Sequence, residues 1–75
     1  MMKKMMTKRM KMVYDKETDA LYIHIKEHIA AGEVAKTIGL DNNINLDYDK
    51  SKKLIGIEIL SASKVLPEKQ LAMSH

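Results

Sequence analysis

A few carboxylates, spaced along two strand-like segments, are the residues of this chain best suited to acid and base chemistry. Asp47 and Asp49 are two positions apart in the first segment, and Glu58 lies in the second. Carboxylates held near one another can raise a pKa into the range that general acid and base catalysis needs. Lysines at positions 50, 52 and 53 stand beside them, and such lysines favour ionised carboxylates that pair across a hairpin. We therefore expect charge pairing here, and not catalysis.

Two histidines offer a metal-binding alternative. His24 and His28 are four positions apart, a spacing that places two ligands on one side of a helix. The residues around His24, however, alternate between apolar and polar as in a strand, where positions i and i+4 lie far apart. The chain also has no cysteine. We expect neither a metal site nor a cofactor.

The sequence has no recognisable motif for covalent catalysis or phosphate binding. Its four serines have no histidine at an evident catalytic spacing, and its three glycines do not form a phosphate-binding loop. We predict that the protein is not an enzyme.

The first part of the chain predicts a β-hairpin with a polar turn over residues 15–19. In its second strand, aliphatic residues alternate with Tyr22 and His24, so one face of the strand is aliphatic. If Tyr14 pairs with Ala20 across the turn, Tyr14 shares the other face with Tyr22 and His24. A second semi-apolar face on a small sheet is typical of a surface that a partner covers. Tyr14, Tyr22 and His24 are therefore the candidate interface.

Alternation and turn-forming residues predict five strands in all. They cover residues 10–14, 20–27, 34–40, 44–49 and 54–60. The last strand is the most apolar, which suits a central position, and its Gly56 leaves room for another group to pack closely. The predicted fold class is α+β, mainly β: a small antiparallel β-meander sheet of about five strands with a short C-terminal helix.

The residues after the last strand predict one or two helical turns. Ser61 is a candidate N-cap for residues 62–66, and Pro67 ends that turn because proline fixes φ and lacks the amide donor. A second turn over residues 67–73 is compatible with proline at the first helical position.

The net charge of +3 is distributed unevenly. Five of the 13 basic residues lie within residues 1–12, which contain no acid, whereas the remainder has eight basic and ten acidic residues. We predict a flexible basic Met/Lys arm over residues 1–9 and a single small β-rich domain over residues 10–75. The arm supports an alternative function, the binding of nucleic-acid phosphates. Its candidate contacts are Lys3, Lys4, Lys8, Arg9 and Lys11.

The length of the chain favours self-association. A domain of 75 residues buries only about 60% of the surface that its unfolded chain exposes, and no disulfide can supplement its core. We therefore expect a homodimer. No apolar stretch approaches the roughly 20 residues that span a bilayer, and basic residues interrupt the N-terminal methionines where a secretory signal would be apolar. We expect a cytoplasmic protein without membrane contact.

Several short motifs stand out between residues 14 and 66. They are Tyr14-Asp15, Asp19-Ala20-Leu21-Tyr22-Ile23, Val34, Thr37, Asn45-Leu46-Asp47-Tyr48-Asp49, Leu54-Ile55-Gly56-Ile57-Glu58-Ile59-Leu60 and Ala62-Ser63. Together they resemble the domain-of-unknown-function family 2283, a family of uncharacterised small prokaryotic proteins. The resemblance implies a compact antiparallel sheet with a short C-terminal helix and no assigned activity. It also implies, for some members, an antitoxin-like partnership with small toxins.

These observations favour a non-enzymatic protein-interaction module of otherwise unknown function. Its expected partners are a second copy of the chain or a small protein such as a toxin. Binding of nucleic acid through the basic arm is the alternative.

Overall fold

The computed structural model describes residues 10–67, and within them the chain forms one antiparallel sheet of five strands and one short helix. The elements are β1 (Lys11–Asp15), β2 (Ala20–His24), β3 (Lys36–Gly39), β4 (Ile44–Tyr48), β5 (Leu54–Leu60) and α1 (Ala62–Val65). This confirms the predicted mainly β class, with its short helix after the last strand. The basic arm over residues 1–9 and most of the turn predicted over residues 67–73 lie outside the described residues. No helix in the described part is long and apolar enough to cross a membrane.

The strand order is β1-β2-β5-β4-β3, so β5 lies at the centre of the sheet. All three predicted hairpins form, because β1 pairs with β2, β3 with β4, and β4 with β5. The simple meander is wrong, since β2 pairs with β5 and not with β3. Residues 25–35 carry the chain past one end of β5, where the amides of Ile25 and Lys26 donate to the carbonyl oxygen of Ile55 at 3.0 and 3.1 Å. The apolar composition of β5 favours its central place, where it has a partner strand on each edge.

The first hairpin differs by one position from the predicted register. Tyr14 pairs with Leu21 and not with Ala20, because the turn is one residue shorter than expected. Side chains alternate along a strand with a period of two, so this shift moves Tyr14 to the face opposite Tyr22 and His24. The prediction that these three residues share one face is therefore wrong.

The face that carries Tyr14 contains the core, and we call it the helix face; the opposite face is the tyrosine face. Leu21 and Ile59 are cross-strand partners on the helix face and are 2% and 6% exposed. Ala62 of α1 is fully buried in the same cluster, and Leu66 packs against it. The helix therefore covers the part of the sheet around Leu21 and Ile59.

Asp19, in the turn between β1 and β2, fixes the start of α1. Ser61 occupies the predicted N-cap position with a left-handed φ of 53°, but its side chain makes no capping hydrogen bond. The Asp19 carboxylate instead accepts hydrogen bonds from the amide of Ser63 at 3.0 Å and from its hydroxyl at 2.7 Å. The Asp19 carbonyl oxygen accepts another from the amide of Ala62 at 2.9 Å. The cap of the helix thus comes from a turn 44 positions earlier in the chain.

Candidate interaction surface

Five apolar side chains, one from each strand, form an unbroken row across the helix face. Each is the cross-strand partner of the next, so the row crosses the whole width of the sheet. Side chains related in this way touch and pack as a unit. We name this set the apolar row; from β1 to β3 it consists of Met12, Ile23, Ile57, Leu46 and Ile38.

The described part of the chain leaves the apolar row partly open to solvent. Ile38 is 41% exposed, and the other four members are half-buried. The neighbouring row is different, because its members Leu21 and Ile59 lie in the buried cluster with α1. A helix of four residues is only about 6 Å long, so α1 is too short to cover both rows. Leu40, just beyond β3, is 62% exposed and adds to the uncovered apolar surface.

The helix face carries almost no charge. By strand alternation, Lys36 is the one charged residue of the described strands on this face, and it lies at the β3 edge beside Tyr48. The apolar row itself is uncharged. Two such faces could therefore meet without bringing like charges together along the row.

The tyrosine face is closed by hydrogen bonds among its own side chains. The Tyr22 hydroxyl donates to Oδ2 of Asp47 at 2.6 Å, and the Thr37 hydroxyl donates to Oδ1 of the same carboxylate at 2.6 Å. Beside this pair, Nδ2 of Asn45 donates to Oε1 of Glu58 at 3.0 Å. The four strands β2 to β5 are thereby linked on this face by polar side chains, which we name the tyrosine cluster.

Gly56 makes the central bond of the tyrosine cluster possible. Tyr22 lies on β2 and Asp47 on β4, so the phenol ring must cross β5 between them. The ring crosses at Gly56, where an ideal Cβ would lie 2.5 Å from Cζ and 3.0 Å from Cε2 of Tyr22, and closer still to its hydroxyl. Any side chain at this position would meet the ring. The prediction that Gly56 allows close packing is confirmed.

Burial and charge keep the Tyr22 phenol protonated. Burial raises the pKa of Tyr22 most strongly, and the hydrogen bond to Asp47 and the negative charges of Asp47 and Glu58 raise it further.

His24 packs beside Tyr22 on the same face. The two rings meet edge to face with their centroids 4.8 Å apart, and Nδ1 of His24 is buried without a hydrogen-bond partner in the described part of the chain. Each oxygen of Asp47 accepts one hydrogen bond, so this carboxylate links β2, β3 and β4 on the tyrosine face.

The carboxylates predicted as an acidic group are separated. Asp47 and Glu58 both lie in the tyrosine cluster, whereas Asp49 follows β4 and supports the next turn. Oδ1 of Asp49 accepts hydrogen bonds from the amides of Ser51 at 2.8 Å and Lys53 at 2.9 Å. Among residues 10–67 no group of three or more His, Asp or Glu side chains is placed to hold a metal ion.

Tyr14 joins the turn at Asp19 and makes no part of the tyrosine face. Its hydroxyl donates to Oδ1 of Asp19 at 2.7 Å. This bond raises the pKa of Tyr14, and together with the Ser63 hydrogen bonds it lowers the pKa of Asp19. Tyr14 therefore helps to position the residue that caps α1.

The basic residues proposed for nucleic-acid contact are described only in part. Lys11 is exposed on β1, where it pairs with His24. The other four candidates, Lys3, Lys4, Lys8 and Arg9, lie outside the described residues. Binding of nucleic acid through the arm stays a prediction.

Sequence reasoning missed both the apolar row and the role of Asp19. The members of the row are recognisable as strand residues in the sequence, but their alignment depends on pairing β2 with β5. The role of Asp19 depends on a contact with Ser63 that no local pattern indicates. The alternation of apolar and polar residues in each strand was the available signal for the faces of the sheet. It assigned a residue to the correct face only where the predicted pairing register was also correct.

The described residues thus form a small antiparallel-sheet protein with one face partly covered by a short helix and the other closed by its own hydrogen bonds. The chain belongs to a protein family of unknown function, DUF2283, whose family model matches residues 11–63, from the first residue of β1 to the second residue of α1. No curated protein and no solved structure gives a significant match to the chain.

Proposed function

We propose that this protein is a non-enzymatic interaction module that associates with a second copy of itself through the apolar row. The observation that carries the proposal is the exposure of this row, whose member Ile38 is 41% exposed and whose other members are half-buried. The largest apolar patch on a typical monomer has an area of this order and is often a functional surface. The resemblance to antitoxin-like proteins adds a small protein as a second candidate partner for this surface.

The size of the helix face sets the strength of the proposed dimer. Five strands are about 24 Å wide and five residues of strand are about 17 Å long, so the face offers at most about 400 Å². Stable interfaces of standard size bury about 800 Å² on each partner. The dimer is therefore expected to be weak and to depend on protein concentration.

The tyrosine cluster supports the non-enzymatic part of the proposal. Its carboxylate at Asp47 accepts two short hydrogen bonds, and the carboxylate of Glu58 accepts one from Asn45. Both carboxylates thus serve to link neighbouring strands, which is a structural role.

Sedimentation of the full-length protein from about 1 μM to about 1 mM tests the dimer. Ile38→Glu places a charge in the apolar row at an edge strand, where the monomer tolerates it, and should weaken dimerisation by about tenfold or more. Val13→Glu is the matched control, because Val13 is 36% exposed on the other edge strand and pairs with Tyr22 on the tyrosine face. A protein that stays monomeric throughout, or a dimer weakened equally by both variants, would contradict the proposal.

A further inference from the structure

We propose that the outer edge of β3 binds an extended acidic segment of another protein, which adds to the sheet as a sixth strand. This surface is separate from the apolar row except at Ile38. β3 is the end strand of the sheet, and it is the one described strand in which every residue is exposed. An exposed edge of this kind is a template for a further strand.

The backbone of β3 has groups free for such pairing. The Leu40 amide donates to the carbonyl oxygen of Ile44 at 2.7 Å, which fixes residues 40 and 44 as a hydrogen-bonded pair. Along an antiparallel ladder, hydrogen-bonded residue pairs alternate with non-hydrogen-bonded ones. Ile38 and Lys36 are two and four positions from Leu40, so they too direct their backbone groups toward β4. The amide and carbonyl groups of Thr37 and Gly39 therefore point away from the sheet, where an added strand would lie.

A shallow cleft beside this edge indicates the chemistry of the partner. The cleft has a volume of about 370 Å³ and is lined by Ile38, Tyr48, Lys36, Lys52 and Asp49. Ile38 and Tyr48 provide an apolar floor. The one ion pair in the described part of the chain joins Lys26 to Glu33, so neither lysine of the cleft has an acidic partner there. Oδ1 of Asp49 accepts hydrogen bonds from two backbone amides, and its one negative charge is outnumbered by the two lysines, so the cleft favours an acidic side chain next to an aliphatic one.

The same lysines disfavour a second copy of the chain at this edge. Two β3 strands paired side by side would bring the lysine side chains of both copies, at positions 36 and 52, to one seam. Charged side chains on an edge strand, lysine above all, commonly prevent such self-pairing. The edge is therefore matched to an acidic partner and not to itself.

A capped heptapeptide, Thr-Glu-Thr-Val-Thr-Glu-Thr, serves as the probe because it can set valine opposite Ile38 and glutamate beside Lys36. Titrated into the full-length protein labelled with ¹⁵N, it should shift the amide signals of Thr37 and Gly39 most. The double variant Lys36→Glu with Lys52→Glu should bind it about tenfold more weakly. A peptide with lysine in place of glutamate should not bind.

The control is the double variant Lys16→Glu with Lys64→Glu, which has the same net charge but changes exposed lysines in the first turn and in α1. It should bind the acidic peptide as the unmodified protein does. The proposal would be overturned by any of three results: the acidic peptide shifts no amide signal of β3, both double variants lose the same affinity for it, or the lysine peptide binds as tightly as the acidic one. Sedimentation of Lys36→Glu with Lys52→Glu distinguishes loss of peptide binding from loss of the dimer. Because neither lysine belongs to the apolar row, this variant should self-associate as the unmodified protein does.

Discussion

Replacing Gly56 by alanine should displace Tyr22 from Asp47. The added Cβ would lie 2.5 Å from Cζ of the phenol ring, well inside the distance that two carbon atoms tolerate. The backbone at Gly56 has no positive φ and accepts alanine, so the strain falls on the ring. The simplest relief is rotation of Tyr22 away from β5, which breaks the 2.6 Å hydrogen bond to Asp47.

The expected cost follows from two opposing contributions. A hydrogen bond to a charged group contributes about 1.5–3 kcal/mol to stability. Alanine in place of glycine within a strand raises the free energy of unfolding by about 0.5–1 kcal/mol, because the chain loses less conformational freedom when it folds. Gly56→Ala should therefore lower the free energy of unfolding by about 1–2 kcal/mol. In a domain of this size each kcal/mol corresponds to about 4–8 °C in Tm.

A double-mutant cycle identifies the ring as the cause. In a Tyr22→Ala background nothing stands over Gly56, so Gly56→Ala should become neutral or stabilising by about 0.5–1 kcal/mol. In a Tyr22→Phe background the hydrogen bond to Asp47 is already absent, so Gly56→Ala should destabilise by less than it does in the native background. Urea denaturation followed by circular dichroism measures all the variants. Equal effects of Gly56→Ala in the native and Tyr22→Ala backgrounds would show that the crossing of β5 by Tyr22 is not what Gly56 permits.

Two further predictions concern pH. Asp19→Asn should lower Tm near neutral pH and loosen α1. Folding lowers the pKa of Asp19, so the stability that its carboxylate contributes is present above the unfolded pKa and is lost as pH falls through the folded pKa. The Tm values of the variant and the unmodified protein should therefore converge in acid. A constant difference in Tm at all pH values would contradict this. Folding raises the pKa of Tyr22, so the stability it contributes is complete below its unfolded pKa of about 10 and is lost as pH rises further. Ultraviolet titration should show formation of the Tyr22 phenolate only as the protein unfolds. That step should be absent in Tyr22→Phe. Formation of the Tyr22 phenolate in the folded protein near pH 10 would refute the argument.

Local alternation in the sequence was enough to find the strands. β5 has the predicted bounds, Leu54–Leu60, because its apolar residues lie between a lysine-rich turn and a serine. β3 is shorter than predicted, Lys36–Gly39 instead of 34–40, although the amides of Ala35 and Leu40 still donate to carbonyl oxygens of β4. The period is a local property, and it located the strands, whereas the first turn was predicted one residue too long.

Nonlocal pairing was the part that sequence could not supply. The face of Tyr14 depended on whether the first turn held four residues or five, and a single residue reverses every side chain of a strand. The contact of Asp19 with Ser63 joins residues 44 positions apart. The tyrosine cluster likewise needed the order β2-β5-β4, since Tyr22 and Asp47 are not on adjacent strands.

The central position of β5 governs the order in which the protein can fold. β1 with β2 and β3 with β4 are hairpins that close through local contacts, whereas β5 is the last of the five described strands along the chain and the one that joins them. An isolated hairpin is at best marginally stable in water. The two hairpins therefore remain separate, fluctuating units until residues 54–60 have been synthesised. On the ribosome the sheet should consequently form late and in one step, with the helix docking on Asp19 at its completion.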